Sequence, residues 1–467
     1  MRMTPGQAWA LALASTASLM VALDALVVST ALSTIRLDLD ASIEQLEWTV
    51  NSYNLSFAVL LMTGSALGDR FGRRRLLGYG LLLFTVASAA CALSPGIGWL
   101  IAARTVQGAG AALVMPLAMA VLSTAFPPEW RGRALGIFSS VTGLAVLGGP
   151  LVGGVITQGL AWQWIFWLNV PIGIVMVPLV ARWIRESHGP NTRLDLGGLL
   201  LAAAASLGVA WALVRAGAAG WGSLEVVGSL LAGGVLTAAF IAWELQAPAP
   251  MLPMRLFRSA AFSAGNTMAF LQTASLFGSL FFLAQYLQIP LGYGPLDAGL
   301  RLLPWTATLF VIAPIAGALV DRIGERLLAG LGLFLQAAGF AWIALIAEPD
   351  LAYPQLIPPL VISGCGISMA MPASQNAILG AVSPADVGTA SGTYNMLRQL
   401  GGVFGVALMA TVFSAAGGYT DPREFTDGFS PAMTVAAVLS LIGAVAALGA
   451  ATKTTAPSPQ TAVEQPV

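Results

Sequence analysis

Long apolar runs alternate with short polar hinges along the whole of this chain. A helix needs ~20 mostly apolar residues to cross a bilayer. By that measure, runs near 9–32, 47–67, 77–94, 98–121, 135–157, 164–182, 196–215, 227–244, 262–286, 300–319, 327–347, 355–380, 391–415 and 431–450 predict about fourteen transmembrane helices. The first run is longer than the apolar core of a cleavable leader, so it reads as a retained span. The fold class expected is all-α, a polytopic membrane protein.

Composition narrows the function classes. Of 467 residues, 57% are hydrophobic and 9% charged, against roughly 25% charged in soluble domains. So few charges cannot clothe a soluble globule, and so much hydrophobicity excludes disorder. The formal net charge is zero, which leaves nothing to attract nucleic acid. Cys91 and Cys365 stand in apolar runs without metal-ligand spacing and read as small buried hydrophobes. His188, in the hinge ESHGPNTRLD, reads as a solvated loop residue. No phosphate cradle, metal cluster or nucleophile motif is present, so neither an enzyme nor a cofactor is expected.

An even number of spans puts both termini on one side. Every cation in the hinges and tails then falls on that side, except Arg36, Arg215, Arg301 and Arg423. Positive residues mark the cytosol, so both termini are expected there. The tail 453–467 reads as disordered.

The chain also repeats itself. GAGAALVMP (Gly108 to Pro116) resembles GCGISMAMP (Gly364 to Pro372), 256 positions on, and Pro128, Gly132 and Gly136 continue in register with Pro384, Gly388 and Gly392. SALGDRFGRRR (Ser65 to Arg75) resembles GALVDRIGER (Gly317 to Arg326), 252 on. Two six-helix bundles are expected, 1–185 and 259–452, with two inserted helices in 186–258. Duplicated halves around a central cavity are a transporter plan.

Asp24 lies in the middle of the first span, where an ionised group costs roughly 2.5–3.5 kcal/mol on insertion scales. Loss of water favours its protonated form, and a nearby cation opposes this. It reads as a proton or substrate group, or as a structural polar residue bonded to neighbouring helices. Arg104 opens the fourth span with Gln107 one turn on; it must find a carboxylate, carbonyls or water, or snorkel to the interface. Arg398 and Gln399 open span thirteen in the same way. The positions 256 on from Asp24 and Arg104 are Leu280 and Leu360, which places proton handling in the first half.

Several patches resemble the major facilitator superfamily, and more narrowly its fourteen-span drug:proton antiporters. SALGDRFGRRR resembles the signature between spans two and three. There Asp69 would pair across helix ends, Gly72 would give the tight turn, and Arg70, Arg73 and Arg74 would clasp a cytosolic gate. Ser65 departs from the usual Gly. The fourth span resembles the pattern in which Arg104, Gln107, Gly108 and Gly110 are implicated in proton transfer. GGPLVGG, with Gly149, Pro150, Gly153 and Gly154, resembles the antiporter signature. LDALVVSTAL around Asp24, WQWIFWLNVPIG (Trp162 to Gly173) and ASGTYNMLRQLGGVFG (Ala390 to Gly405) resemble motifs of spans one, six and thirteen, with Gln163 where Arg is common.

The resemblance implies a proton-coupled exporter of small lipophilic drugs or antibiotics, working by alternating access in a bacterial cytoplasmic membrane. Its partners would be a small-molecule substrate, protons and the lipid bilayer. Amphipathic candidates to line the cavity are Asn51, Tyr53, Asn54, Met115, Asn266, Gln272, Phe281, Gln285, Gln288 and Trp305. The tenth span carries no acid, which favours neutral, anionic or monocationic cargo over dications. An importer of a small organic solute on the same fold is the alternative, and the Gly149–Pro150 signature argues against it.

Overall fold

A computed structural model of the chain describes residues 3–189, 194–383 and 386–449, side chains excepted at 128, 129, 132, 147, 217, 218, 321 and 322. Arg2, Arg193, Pro384, Lys453 and the expected tail 453–467 lie outside the described residues. Among the described residues there is no strand. Only a helix can satisfy its backbone within one crossing segment. Helix starts are written into the sequence. Thr4 with Gln7 and Ser42 with Gln45 form reciprocal capping boxes, opening α1 (Pro5–Asp38) and α2 (Ile43–Phe71). The first half continues with α3 (Arg73–Ala92), α4 (Ile97–Ala125), α5 (Pro128–Gly159), and a broken rod of α6 (Trp164–Trp167) and α7 (Asn169–Trp183). Next come α8 (Leu196–Ala219) and α9 (Leu224–Gln246), then α10 (Ala260–Gln288). A second broken rod joins α11 (Pro295–Arg301), α12 (Leu303–Thr306) and α13 (Thr308–Ile323), and α14 (Glu325–Ile346), α15 (Ile357–Gly380), α16 (Val387–Ala416) and α17 (Pro422–Ala446) complete the chain.

The span count departs from expectation. Twelve helices of the described residues are long and apolar enough to cross a membrane, and a pair within α5, Arg133–Val146 and Gly148–Gly159, bent by 42°, brings this to thirteen. The expected span 47–67 lies in α2, a 29-residue helix. It is long enough to cross, but Glu44, Glu47, Asn51, Asn54, Asp69 and Arg70 hold its hydropathy down. Length and apolarity together therefore do not give fourteen.

Helices approach closely through small residues, and the repeat recurs as packing. A Cβ on Gly108 would strike the Tyr53 carbonyl and Ser56 hydroxyl of α2; one on Gly364 would strike the Trp305 carbonyl and the Thr308 hydroxyl. Gly110 abuts Phe84 of α3, as Gly366 abuts Gln336 of α14. These partners are themselves 252 positions apart, the offset of the upstream repeat. The first helix keeps a different offset. Gly149 and Gly153 of α5 pack on Leu26, Val27 and Thr30, whereas Gly401 and Gly405 of α16 pack on Phe270 and Ala274. The counterpart of Asp24 thus falls within Met268–Leu271, not at Leu280, and is apolar either way.

The halves meet along α1–α10, α2–α16 and α5–α11. Gln288 donates to the Thr30 carbonyl at 3.1 Å, and the Leu296 amide donates to Gln158 Oε1 at 3.1 Å. Gly154 abuts Pro295 and Leu296, and Gly299 abuts Pro150. The GGPLVGG segment is therefore wedged between α1 and α11, at the end where α1 finishes. α8 packs beside this seam: its Trp211 meets Trp48 of α2, and Thr411 of α16 donates to the Leu213 carbonyl at 2.6 Å.

At Gly405 an added methyl would enter the Ala274 backbone, while Gly98 faces open space. Gly405→Ala is expected to destabilise by about 1–3 kcal/mol. Gly98→Ala is expected to be neutral, or stabilising by up to about 1 kcal/mol. Thermal unfolding in detergent checks this; equal melting temperatures would contradict the close approach of α16 to α10.

Candidate functional site

Five helices of the first half converge on one carboxyl group. Asp24 of α1 is 2% exposed, and Arg104 of α4 is fully buried. Arg104 Nη1 donates to Asp24 Oδ2 at 2.5 Å. The other oxygen, Oδ1, accepts from Gln107 Nε2 and from Asn169 Nδ2, each at 2.8 Å. Arg104 also donates to Gln107 Oε1 at 2.7 Å and, through Nε, to the Thr49 carbonyl of α2 at 3.2 Å. Its guanidinium carbon lies 4.1 Å from the centre of the Tyr53 ring, a cation–π contact made stronger by the absence of water. Ser88 of α3 accepts from Gln107 at 2.8 Å and from Asn169 at 3.4 Å.

The local sequence explains the convergence. Arg104 and Gln107 are one turn apart on α4, so both reach the same partner. Asn169 is the first residue of α7, just past the break at Leu168, and so enters the bundle beside Asp24. Gly108 lets α2 come close enough for Thr49 and Tyr53 to meet the guanidinium. Arg104 does not snorkel: its partners lie inside the bundle. Buried charges persist when paired and hydrogen-bonded, and both oxygens of Asp24 are so satisfied. A proton arriving on Oδ2 would displace the guanidinium, while Oδ1 could keep both amide bonds.

Sequence reasoning missed Asn169, Ser88 and the part played by Thr49. The signal for Asn169 lay in WQWIFWLNVPIG, where it is the one amide within the apolar stretch after Trp164. Cys91, read as a small hydrophobe, is buried but borders the cluster, with its Sγ 3.7 Å from Gln107 Oε1.

The loop after α2 forms a second constellation. Gly72 takes φ +109°, a conformation open to glycine and strained for other residues. Arg73 Nε donates to Asp69 Oδ1 at 2.7 Å. The chain after α7 then folds over the loop. The Arg73 amide donates to the Ser187 carbonyl at 2.9 Å, the Gly189 amide to the Asp69 carbonyl at 3.1 Å, and the Arg74 amide to Glu186 Oε1 at 2.9 Å. Glu186 also faces the guanidinium groups of Arg74 and Arg75 at 3.6 and 3.7 Å. Arg70 lies over its neighbour Phe71. Glu186, another residue the motif did not suggest, thus anchors the arginines to the first half.

The cavity-lining candidates do not gather into one site. Tyr53 belongs to the charge cluster, and its hydroxyl donates to the Val21 carbonyl at 3.2 Å. Met115 accepts from Ser18, Asn266 donates to its own helix at Phe262, and Gln272 donates to the Ile367 carbonyl. Phe281 and Trp305 pack edge-on against Phe282 and Phe340. Gln288 belongs to the seam between halves, whereas Gln285 donates to its own helix at Phe281 and accepts from Tyr419. Asn51 and Asn54 are buried with polar atoms unpaired. Arg398 lies near the Tyr394 ring, beside a buried Gln399.

The sequence profile of the Major Facilitator Superfamily matches residues 14–406 and 266–466. The chain is 33% identical to the tetracenomycin C resistance and export protein of Streptomyces glaucescens, covering 91% of this chain and 80% of that one. It is 36% identical to the cephamycin export protein CmcT of Amycolatopsis lactamdurans, over 93% and 91%. A bacterial homologue of the human lysosomal transporter Spinster, solved inward-facing and unoccupied, superposes with a TM-score of 0.70 at 17% identity over 96% and 98% of the two chains.

Arg104→Leu strands the Asp24 charge and is expected to cost about 3–5 kcal/mol. Adding Asp24→Leu should recover most of that loss. Thermal unfolding in detergent decides; a double variant no more stable than Arg104→Leu alone would mean that the pair does not share one buried environment.

Proposed function

The chain belongs to the Major Facilitator Superfamily, and from that premise we propose that it exports small lipophilic antibiotics or related metabolites in exchange for protons. The buried Asp24–Arg104 pair carries this reading, because it is the place where adding one proton changes which helices hold each other. The relatives named for resistance and export supply the direction. The superfamily works on small molecules without covalent chemistry, which agrees with a chain lacking any nucleophile motif.

The mechanism follows from the bond inventory. With Asp24 ionised, Arg104 ties α1 to α4. A proton on Oδ2 cancels the attraction and leaves Arg104 with Gln107, Thr49 and the face of Tyr53. α1 then loses its ionic tie to α4 and keeps the Gln107 amide bond and the Ser18–Met115 contact, and α1 is also the helix that packs on α5 and meets α10 across the seam. Substrate departure on one side and proton release on the other would follow the rocking of the two halves, whose seam is closed in this state at the α5–α11 end. Each proton brings about 2.3 kcal/mol per 100 mV of membrane potential. In this reading α2 is a further span, giving the fourteen-span form. The termini face the cytosol of a bacterial plasma membrane, and the Asp69–Arg75 loop with Glu186 gates the cytosolic side. The cargo is neutral, anionic or monocationic, since the tenth span carries no acid within it.

Proteoliposomes loaded with substrate test the coupling. A pH gradient should drive exchange in the native protein, and Asp24→Asn should reduce that exchange at least about tenfold, one pH unit's worth of driving force. Substrate counterflow without a gradient should persist in the variant. Unchanged pH-driven exchange in Asp24→Asn would remove Asp24 from the coupling step.

A further inference from the structure

A second carboxyl group lies out of water, away from the Asp24 cluster. Glu47 of α2 is 2% exposed. Its Oε2 is buried without a hydrogen-bond partner, and no described cation pairs with it. One turn on, both amide atoms of Asn51 are buried and unpaired, and after two turns so is Asn54 Oδ1. The three residues form a single stripe along α2. Ala58, the next position on that stripe, packs with neighbouring Leu55 and Val59 in one cluster with Met396, Leu400 and Val403 of α16. The stripe therefore faces the seam between halves. Tyr53 and the Thr49 carbonyl serve the charge cluster from the opposite side of the helix, where Ser56 also meets Gly108.

The surroundings of Glu47 come from both halves. From its own helix, Glu44 is engaged by Arg215 of α8 at 2.9 Å. From α1, Arg36 lies over the Tyr419 ring at 4.4 Å rather than against Glu47. Tyr419 sits in the turn after α16 and donates to Gln285 of α10 at 2.7 Å. Burial pushes its phenol well above the ordinary value, the nearby Glu47 adds to the effect, and it stays a donor. From α16 the charged residue is Arg398, near the opposite end. From α4 comes Arg104, bound to Asp24 across α2. The arginines that open α3 sit at the far end with Asp69. A carboxylate at Glu47 would thus be an uncompensated charge in a buried seam.

We propose that Glu47 is a gate proton site, which must take up a proton for the α2–α16 seam to close and gives it up to water when the seam parts. This rests on the alternating-access reading above and adds to it a protonation step separate from Asp24. The sign follows from linkage: the closed seam holds one more proton than the open one, so acid favours closure and rising pH favours opening, by up to about tenfold per pH unit. That order suits an exporter, since a proton taken at the vacated outer face would close it behind the departing cargo.

Ala284 of α10 is fully buried, one turn before Gln288 at the seam. Ala284→Cys in nanodiscs, labelled with a hydrophilic maleimide and corrected for Cys91 and Cys365, reports seam opening at uniform pH. Divided at each pH by the labelling of a water-exposed control cysteine, since the reactive thiolate itself becomes more abundant as pH rises, labelling should rise with pH in the otherwise native protein and in Asp24→Asn. It should stay low and flat in Glu47→Gln, and the slope should remain in Glu47→Asp. A native-like slope in Glu47→Gln would overturn the proposal, as would a Glu47→Gln protein labelled strongly at every pH. Native proteoliposomes without pH-driven exchange would remove the export reading and leave the labelling to decide Glu47 on its own terms.

Discussion

One ion pair organises the first half of this protein. Asp24 and Arg104 sit where hydrocarbon surrounds the bundle, and each offsets the cost of burying the other's charge. Their remaining hydrogen-bonding capacity is met by Gln107, Asn169, Thr49 and the face of Tyr53, with Ser88 holding the two amides in place. α1, α2, α3, α4 and α7 are thereby referred to a single point. Any event that changes the charge at that point is felt by all five. The second half has the same packing but no such charges: Leu360 stands where the repeat places Arg104, and Trp305 where it places Tyr53. The duplicated halves therefore share architecture and differ in chemistry.

Close packing makes the arrangement possible. Glycines at 108, 110, 364 and 366 bring backbones together at matching places in both halves, and those at 149, 153 and 154 seat α5 between α1 and α11. A bundle packed this tightly moves by shifting whole helices rather than by local yielding. In the proposed exchange, a single proton near the centre is expressed at the seam through such shifts, and Glu47, on the seam face of α2, registers the same movement.

Much of this was legible in the sequence, for identifiable reasons. Apolar runs of bilayer length located the helices, because only a helix satisfies its backbone within a single crossing segment. An acid and an arginine in such runs announced themselves by their cost. The spacing of Arg104 and Gln107 forecast that they share a partner. α2 was the element whose polarity blurred the count, since it must serve the charge cluster on one face and the seam on the other. Asn169, Ser88 and Glu186 were not foreseen, because common polar residues acquire meaning only from what they touch. The lining candidates scattered for the same reason: an amphipathic side chain in a span satisfies its own helix, as Asn266 does, as readily as it lines a cavity.

The central claim is that Asp24 changes its protonation as the protein turns over. Infrared difference spectra of the membrane-embedded protein, recorded with and without substrate across neutral pH, address it directly. The account predicts a carboxylic-acid band that exchanges intensity with a carboxylate band when substrate binds, present in the native protein and absent in Asp24→Asn. Identical difference spectra from the two proteins would contradict it.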